Sequence, residues 1–521
     1  MRQILQLELT SDRPRRRPAE TEEVVFKRPI SPTAHLKRRA PVSTASGRKG
    51  QLEGMRKLMA VKRLRRSTTP VTAGPPIPAA DGKVVYVYSR EATIAADLLP
   101  VNQGKAERTH ALAAAYGLLQ PSLVRLVAPK EATVQQLTEF HDADYLERLT
   151  DSKPQPKKQP EKRNIFGMKM GRDKQQQQQQ KKKKPKQKRK PKKKKKTRSS
   201  DDEDSDDEGS DDDSSDDDSS ASSSSSSSDS SEEEIRDGDE EFGLQHDCTP
   251  FPGVFQHAAM VAGATMAACE ELKARRSSIA INWMGGRHPG FCYVNDIVLA
   301  ILSLMGSFAK VLYIDIDIHH GDGVEEAFYY TDKVFCVSFH HYAPGFYPGT
   351  GRITQVGAGK GKYYTVNVPL KAGIGDEAYV ELFAQVVSGI VTRYSPQAVL
   401  LSAADGWLPW RGFGACRGLG ECVRTVRDLC KGRGDVPLLV LGGGGYNSTN
   451  AARAFTHFTS LLLDKELPND IPEHRFFEDY KDHGFQLHLP AGHEPDKNDQ
   501  AYLDQVRQTV QDNLARTAGA T

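Results

Sequence analysis

VLYIDIDIHHGDG, residues 311–323, decides how this chain is read. It opens as a β-branched apolar run of strand length. Alternation at period 2 puts Asp315, Asp317 and His319 on one face and Ile314, Ile316 and Ile318 on the other. Two carboxylates and an imidazole at the carboxyl end of a buried strand are costly to desolvate unless they bind a cation or pair with one another. In open α/β sheets, that end of a parallel strand is also where ligands sit. The plainer alternative is a strand end whose polar groups merely satisfy each other. The density of this cluster favours a site.

Working outward, the same kind of run recurs at SIAINW (278–283), VFCVSFH (334–340), YYTVNVPL (363–370), AVLLSAAD (398–405) and PLLVLGGGG (437–445). GKVVYVYS (82–89) is another, followed by helical patterns over 92–99 and 105–116 and a further helix within 140–151. Short strands separated mostly by helical lengths indicate an α/β domain with a largely parallel sheet flanked by helices. Residues 82–151 are too few and too strand-poor to stand alone, so they belong with 242–515 in one domain.

The rest of the chain is of another character. Mean hydropathy is −0.58, and the net charge of +4 conceals strong segregation. Residues 1–80 carry 18 Lys/Arg against 6 Asp/Glu, residues 172–198 carry 16 against 1, and residues 201–241 carry 1 against 21. The remainder is left at −3. Residues 1–80 read as a disordered basic arm, with a short basic helix expected over 55–64. Residues 152–241 read as a low-complexity insertion, a Gln/Lys block and then an Asp/Ser block, which cannot bury enough apolar surface to offset chain entropy. Solvated linker is the simplest reading of such runs. A nuclear import signal in the lysine block and phosphorylation at sites such as Ser205 are the sharper ones. Because the basicity lies outside the globular part, sequence-specific nucleic-acid binding is not expected.

Seven cysteines without a CxxC pair exclude a disulfide scaffold and a cysteine zinc ribbon. No apolar run approaches the roughly 18 residues of a membrane span. The N-terminus lacks a secretory apolar stretch, so a soluble, intracellular protein is expected.

Three further features carry chemistry. Asp405 closes AVLLSAAD at the end of another strand and can add a ligand to the cluster of Asp315, Asp317 and His319. Two Asp and one His with an open position suit catalytic Zn²⁺, which polarises a carbonyl and activates water. LGGGGYN (441–447) lets backbone approach a ligand closely, and without a following Gly-Lys-Ser/Thr it is not a P-loop. Tyr446 would then direct its hydroxyl into the same crevice as an oxyanion donor.

Together with INWMGG (281–286), GFCYVND (290–296) and GFYPGTG (345–351), these motifs resemble the zinc-dependent histone deacetylases, most closely the class I branch, over about 82–151 and 242–515. The resemblance implies the arginase/deacetylase fold with an eight-stranded parallel sheet, and hydrolysis of N-ε-acetyl-lysine. It implies Asp317, His319 and Asp405 as zinc ligands and Tyr446 as the group that polarises the acetyl carbonyl. Gly290 would accept the substrate amide N–H, Phe291 and Tyr347 would wall a tube around the lysine methylenes, and Asp247 would hold the substrate backbone at the rim. Asp315, His319 and Ser338 fall where the family binds structural K⁺. His288, oriented by Asp315, would act as the base. The family has a second histidine after His288, whose carboxylate partner would be Asp322; this chain runs directly from His288 to Pro289. After Asp405 the family's Gly-Asp-Pro loop is replaced by GWLPWRGFGACRG. The expected partners are acetylated histone tails or other acetylated nuclear proteins and a corepressor complex, with no membrane. The expected location is the nucleus, with the cytoplasm open to it. The alternative is a catalytically impaired, zinc-retaining acetyl-lysine binder or corepressor scaffold.

Overall fold

A computed structural model of the chain describes residues 83–150, 242–244, 248–286, 292–403, 417–490 and 494–517. The strands are β1 (Val84–Val87), β2 (Val124–Val127), β3 (Ile279–Asn282), β4 (Val311–Asp315), β5 (Val334–His341), β6 (Thr365–Leu370), β7 (Ala398–Ser402) and β8 (Leu438–Leu441). They form one eight-stranded sheet in the order β2-β1-β3-β8-β7-β4-β5-β6. Every pairing is parallel. Val85 lies opposite Ala280, so strands from before and after the charged stretch share this sheet.

The apolar runs are continuous because the sheet is covered on both faces. In β4, Leu312 and Ile314 enter one core cluster with helices α8 (Asp376–Tyr394), α9 (Arg417–Gly432), α10 (Ser448–Leu462) and α11 (Gln500–Arg516). Val311 and Tyr313 enter the other, with α5 (Val254–Lys273) and α6 (Asp296–Leu304). The earlier helices are α1 (Arg90–Ala96), α2 (Lys105–Ala115), α3 (Val134–Leu137) and α4 (Ala143–Thr150), and α7 (Asp322–Phe328) follows β4. No helix among the described residues is long and apolar enough to cross a membrane.

Two sequence expectations change in detail. The strand that opens VLYIDIDIHHGDG ends at Asp315, and the residues after it bend. The eighth strand, β2, lies at the sheet edge with Leu126 46% exposed, which is why VRLV carries no continuous apolar signal. The basic patch at 55–64 lies outside the described residues.

Candidate active site

Four adjacent strands, β3, β8, β7 and β4, send their carboxyl ends to one edge of the sheet, where the chemistry-bearing motifs begin. Beyond β4 the alternation of side chains survives the end of the strand through a chain of side-chain bonds. Asp315 Oδ1 accepts the N–H of Asp317 at 2.9 Å, and Asp317 Oδ1 accepts the N–H of His319 at 2.8 Å. Each carboxylate thus fixes the backbone two residues on, as short acidic side chains do in turns. Ile316 and Ile318 stay in the core below. Asp315 Oδ2 also accepts the Tyr313 hydroxyl at 2.5 Å.

Asp315 and Asp317 are buried, while His319 is partly open. His319 Nδ1 stands 3.1 Å from Asp317 Oδ1. Burial pulls the His319 pKa down, but the bond to Asp317 and the charges of Asp317, Asp315 and Asp322 outweigh it and leave it raised. Its ring stacks on Phe346, 5.1 Å away and 8° from parallel, and meets Tyr347 edge-on at 5.9 Å.

The glycine run after β8 closes the opposite side. A Cβ on Gly444 would stand 2.6 Å from Asp317 Oδ2, so the backbone there lies directly on the carboxylate. From behind, Lys105 of α2 donates to the carbonyls of Gly443, Gly444 and Gly445 at 2.9, 2.7 and 3.1 Å. Lys105 is buried, and its ammonium also lies 5.3 Å from the Phe455 ring centroid. Three carbonyl oxygens and an aromatic face supply what desolvation removed. Tyr446 follows, 54% exposed. Asn447 caps α10 by accepting the N–H groups of Thr449 and Asn450. Tyr446 is therefore held between a clamped loop and a capped helix.

The turn after β3 is held from below. Asp296 Oδ2 accepts the Thr265 hydroxyl at 2.5 Å and the Gly286 N–H at 3.0 Å. Asn295 caps α6, and its own N–H donates to His141 Nε2 at 3.0 Å. These bonds hold Gly286 and Asn295, which lie on either side of 287–291 in sequence. His288, Gly290 and Phe291 lie in that stretch and, like Asp247 and Asp405, fall outside the described residues. Asp322 opens α7 and accepts the Gly323 N–H at 2.7 Å. The geometry thus gathers Asp315, Asp317, His319 and Tyr347 directly, with Gly444 packed on Asp317 two residues before Tyr446.

The family model for the histone deacetylase domain matches residues 99–462. The chain belongs to the histone deacetylase family. It is 42% identical over 285 residues to histone deacetylase 8 of Xenopus tropicalis, an alignment covering 53% of this chain and 76% of that protein. It is 43% identical over 286 residues to histone deacetylase 1 of Homo sapiens, covering 53% and 58% respectively. These relatives place it with the class I-like members of a hydrolase family.

Within this deacetylase domain, several residues escaped the sequence reading. Lys105 is one, and the buried imidazoles beneath loop 345–351 are others. Burial and the neighbouring His320 push the His340 pKa down to about 3, so that ring is neutral. Its Nε2–H donates to the Gly351 carbonyl at 2.8 Å. Nδ1 therefore accepts the Ser338 hydroxyl at 3.0 Å, and Ser338 Oγ in turn accepts the Gly321 N–H at 3.4 Å. Ser338 lies in register with Asp315.

Proposed function

We propose that this histone deacetylase domain hydrolyses N-ε-acetyl-lysine on histones or other acetylated nuclear proteins, using Zn²⁺, and so acts in chromatin regulation and transcription repression. The observation that carries the reading is the pairing of Asp317 and His319 at the mouth between Gly444 and Tyr347. Carboxylate oxygen and imidazole nitrogen side by side, 3.1 Å apart, are donors that zinc takes. Asp405 is the proposed third ligand. Among the described residues, no group of three His, Cys, Asp or Glu gathers as a metal site.

Zn²⁺ held there would polarise the acetyl carbonyl and lower the pKa of water. The chain's own groups do the rest. The Tyr446 hydroxyl donates to the carbonyl oxygen as it gains negative charge. Phe291 and Tyr347 line the lysine methylenes, Gly290 accepts the amide N–H, and Asp247 holds the substrate backbone. His288, oriented by Asp315, takes a proton from the attacking water and returns one to the leaving lysine amine. The register of Ser338 with Asp315 supports a structural K⁺ there, with His319 as a further proposed ligand. The lysine block at 172–198 supports nuclear import, and the acidic block supports phosphorylation at sites such as Ser205.

One observation favours a second reading, a catalytically impaired acetyl-lysine binder or corepressor scaffold: between Gly286 and Gly290 the chain holds one histidine, His288. Loss of one general base typically removes roughly 10² to 10⁴ in rate. The purified chain should bind one Zn²⁺, measured by mass spectrometry of the metal, and Asp317→Ala and His319→Ala should each abolish it. Full zinc in both variants overturns the metal assignment. With zinc bound, release of acetate from an acetylated histone peptide supports the enzyme. Tight peptide binding without release supports the scaffold.

A further inference from the structure

We infer that His320 is a positioning residue for substrate selection: through Thr350 it fixes loop 345–351, which carries Phe346 and Tyr347, and it holds no metal and moves no proton. The role in substrate selection rests on the deacetylase reading; the anchoring of the loop does not.

His319 and His320 are adjacent, and the period-2 reading singles out His319 alone. The bend after β4 sends them opposite ways. The His320 side chain is 2% exposed, and both its ring nitrogens already have partners. Nε2 lies 2.8 Å from Glu325 Oε2 of α7, and Nδ1 lies 2.8 Å from Thr350 Oγ1. Glu325 Oε2 also accepts an N–H of Asn367, from β6, at 2.8 Å. Glu325 Oε2 can only accept, so Nε2 carries a ring proton, and Nδ1 pairs with the Thr350 hydroxyl. One buried network therefore ties the end of β4, the first turns of α7 and the centre of β6 to a single hydroxyl on the loop.

A second imidazole completes the seat. The rings of His320 and His340 lie 4.7 Å apart, and His340 donates to the Gly351 carbonyl. Gly351 has a φ of +86°, and a Cβ there would stand 2.3 Å from His340 Nε2 and 2.7 Å from His320 Cγ. The loop backbone rests on the two rings with no space between. At the other end, Phe346 stacks on His319 and meets His341 edge-on at 4.6 Å. Tyr347, 52% exposed, lies between these two anchors. The direction in which it walls the substrate tube follows from Thr350 and Gly351 behind it and Phe346 in front.

The test uses the full chain in four forms: unmodified, Thr350→Val, Thr350→Ser and His320→Gln. Three quantities are read: hydrogen exchange of amides in 345–352, the Kd of a fluorescein-labelled peptide carrying one acetyl-lysine, and zinc per chain. Thr350→Val replaces the hydroxyl with a methyl, and it should speed exchange in 345–352 and weaken the peptide about tenfold, with zinc content and exchange in β5 unchanged. Thr350→Ser should restore both. His320→Gln should behave like Thr350→Val and keep its zinc. Wild-type exchange in Thr350→Val, failure of Thr350→Ser to rescue, or zinc loss in His320→Gln would each overturn the assignment. If the unmodified chain binds no acetyl-lysine peptide, the deacetylase reading and the selection role fall together, and the exchange data still decide whether His320 anchors the loop.

Discussion

Asp317 shows how much one carboxylate organises here. It holds the backbone of His319, faces that ring's Nδ1, and lies under the backbone of Gly444. Gly444 is a useful probe because, unlike Gly443 and Gly445, it has no positive φ. A side chain is excluded there by space alone. Gly444→Ala would bring a methyl to 2.6 Å from Asp317 Oδ2, so the carboxylate must turn or the loop must lift. The expected outcome is a chain that folds as before but binds Zn²⁺ at least tenfold more weakly in a competitive chelator titration, since geometry at a three-ligand site is unforgiving. Unchanged zinc affinity would mean that the loop yields without cost and does not set the carboxylate.

Between elements, the contact that matters most is α2 against the loop after β8, and it rests on Lys105. Lys105→Met keeps the length and apolar stem but leaves three carbonyls, two of them buried, without this donor. Unsatisfied buried groups cost about 1–3 kcal/mol each, and partial access to water will relieve some of this. A urea midpoint lowered by the equivalent of about 2 kcal/mol is expected, with kcat falling more than KM rises because Tyr446 is no longer held. A variant that loses stability but keeps kcat would limit Lys105 to a structural role. Sequence could not have revealed it. Lys105 lies 338 residues from Gly443, and a lysine near the start of an amphipathic helix reads as solvent-facing. The same holds for His320, whose partners Thr350 and Glu325 look like a loop hydroxyl and a surface carboxylate until the fold brings them together. What was legible were the β-branched runs, which need only burial on both faces to identify them, and the Asp-Asp-His alternation, which needs only a period. Strand β2 was missed because an edge strand with an exposed face has neither.

At the scale of the whole molecule, the charges that dominate the composition lie outside the described residues, and the titration of the fold is governed instead by buried imidazoles. His110 is 4% exposed, on α2, with Nδ1 2.9 Å from the Tyr86 hydroxyl and no hydrogen-bond partner at Nε2. Burial pushes its pKa down to about 3. His340 is buried completely and lies at about the same value, and His457 on α10 is pushed to about 3 by burial and then by His488, Arg424 and Arg417. In the unfolded chain these rings take up protons near pH 6.5. The folded state refuses them until about pH 3. Stability is therefore complete above pH 6.5 and is lost as pH falls, because the unfolded state binds more protons. His319, with a raised pKa, works in the opposite sense and offsets part of the loss. Each fully buried histidine should cost about 2 kcal/mol by pH 5, a pH still above the range where ordinary carboxylates protonate. Urea midpoints measured from pH 7.5 to 5 should fall steeply, and His110→Asn, which does not titrate, should recover about 2 kcal/mol of that fall. Midpoints that stay level down to pH 5 would mean that these rings are reached by water in the folded state.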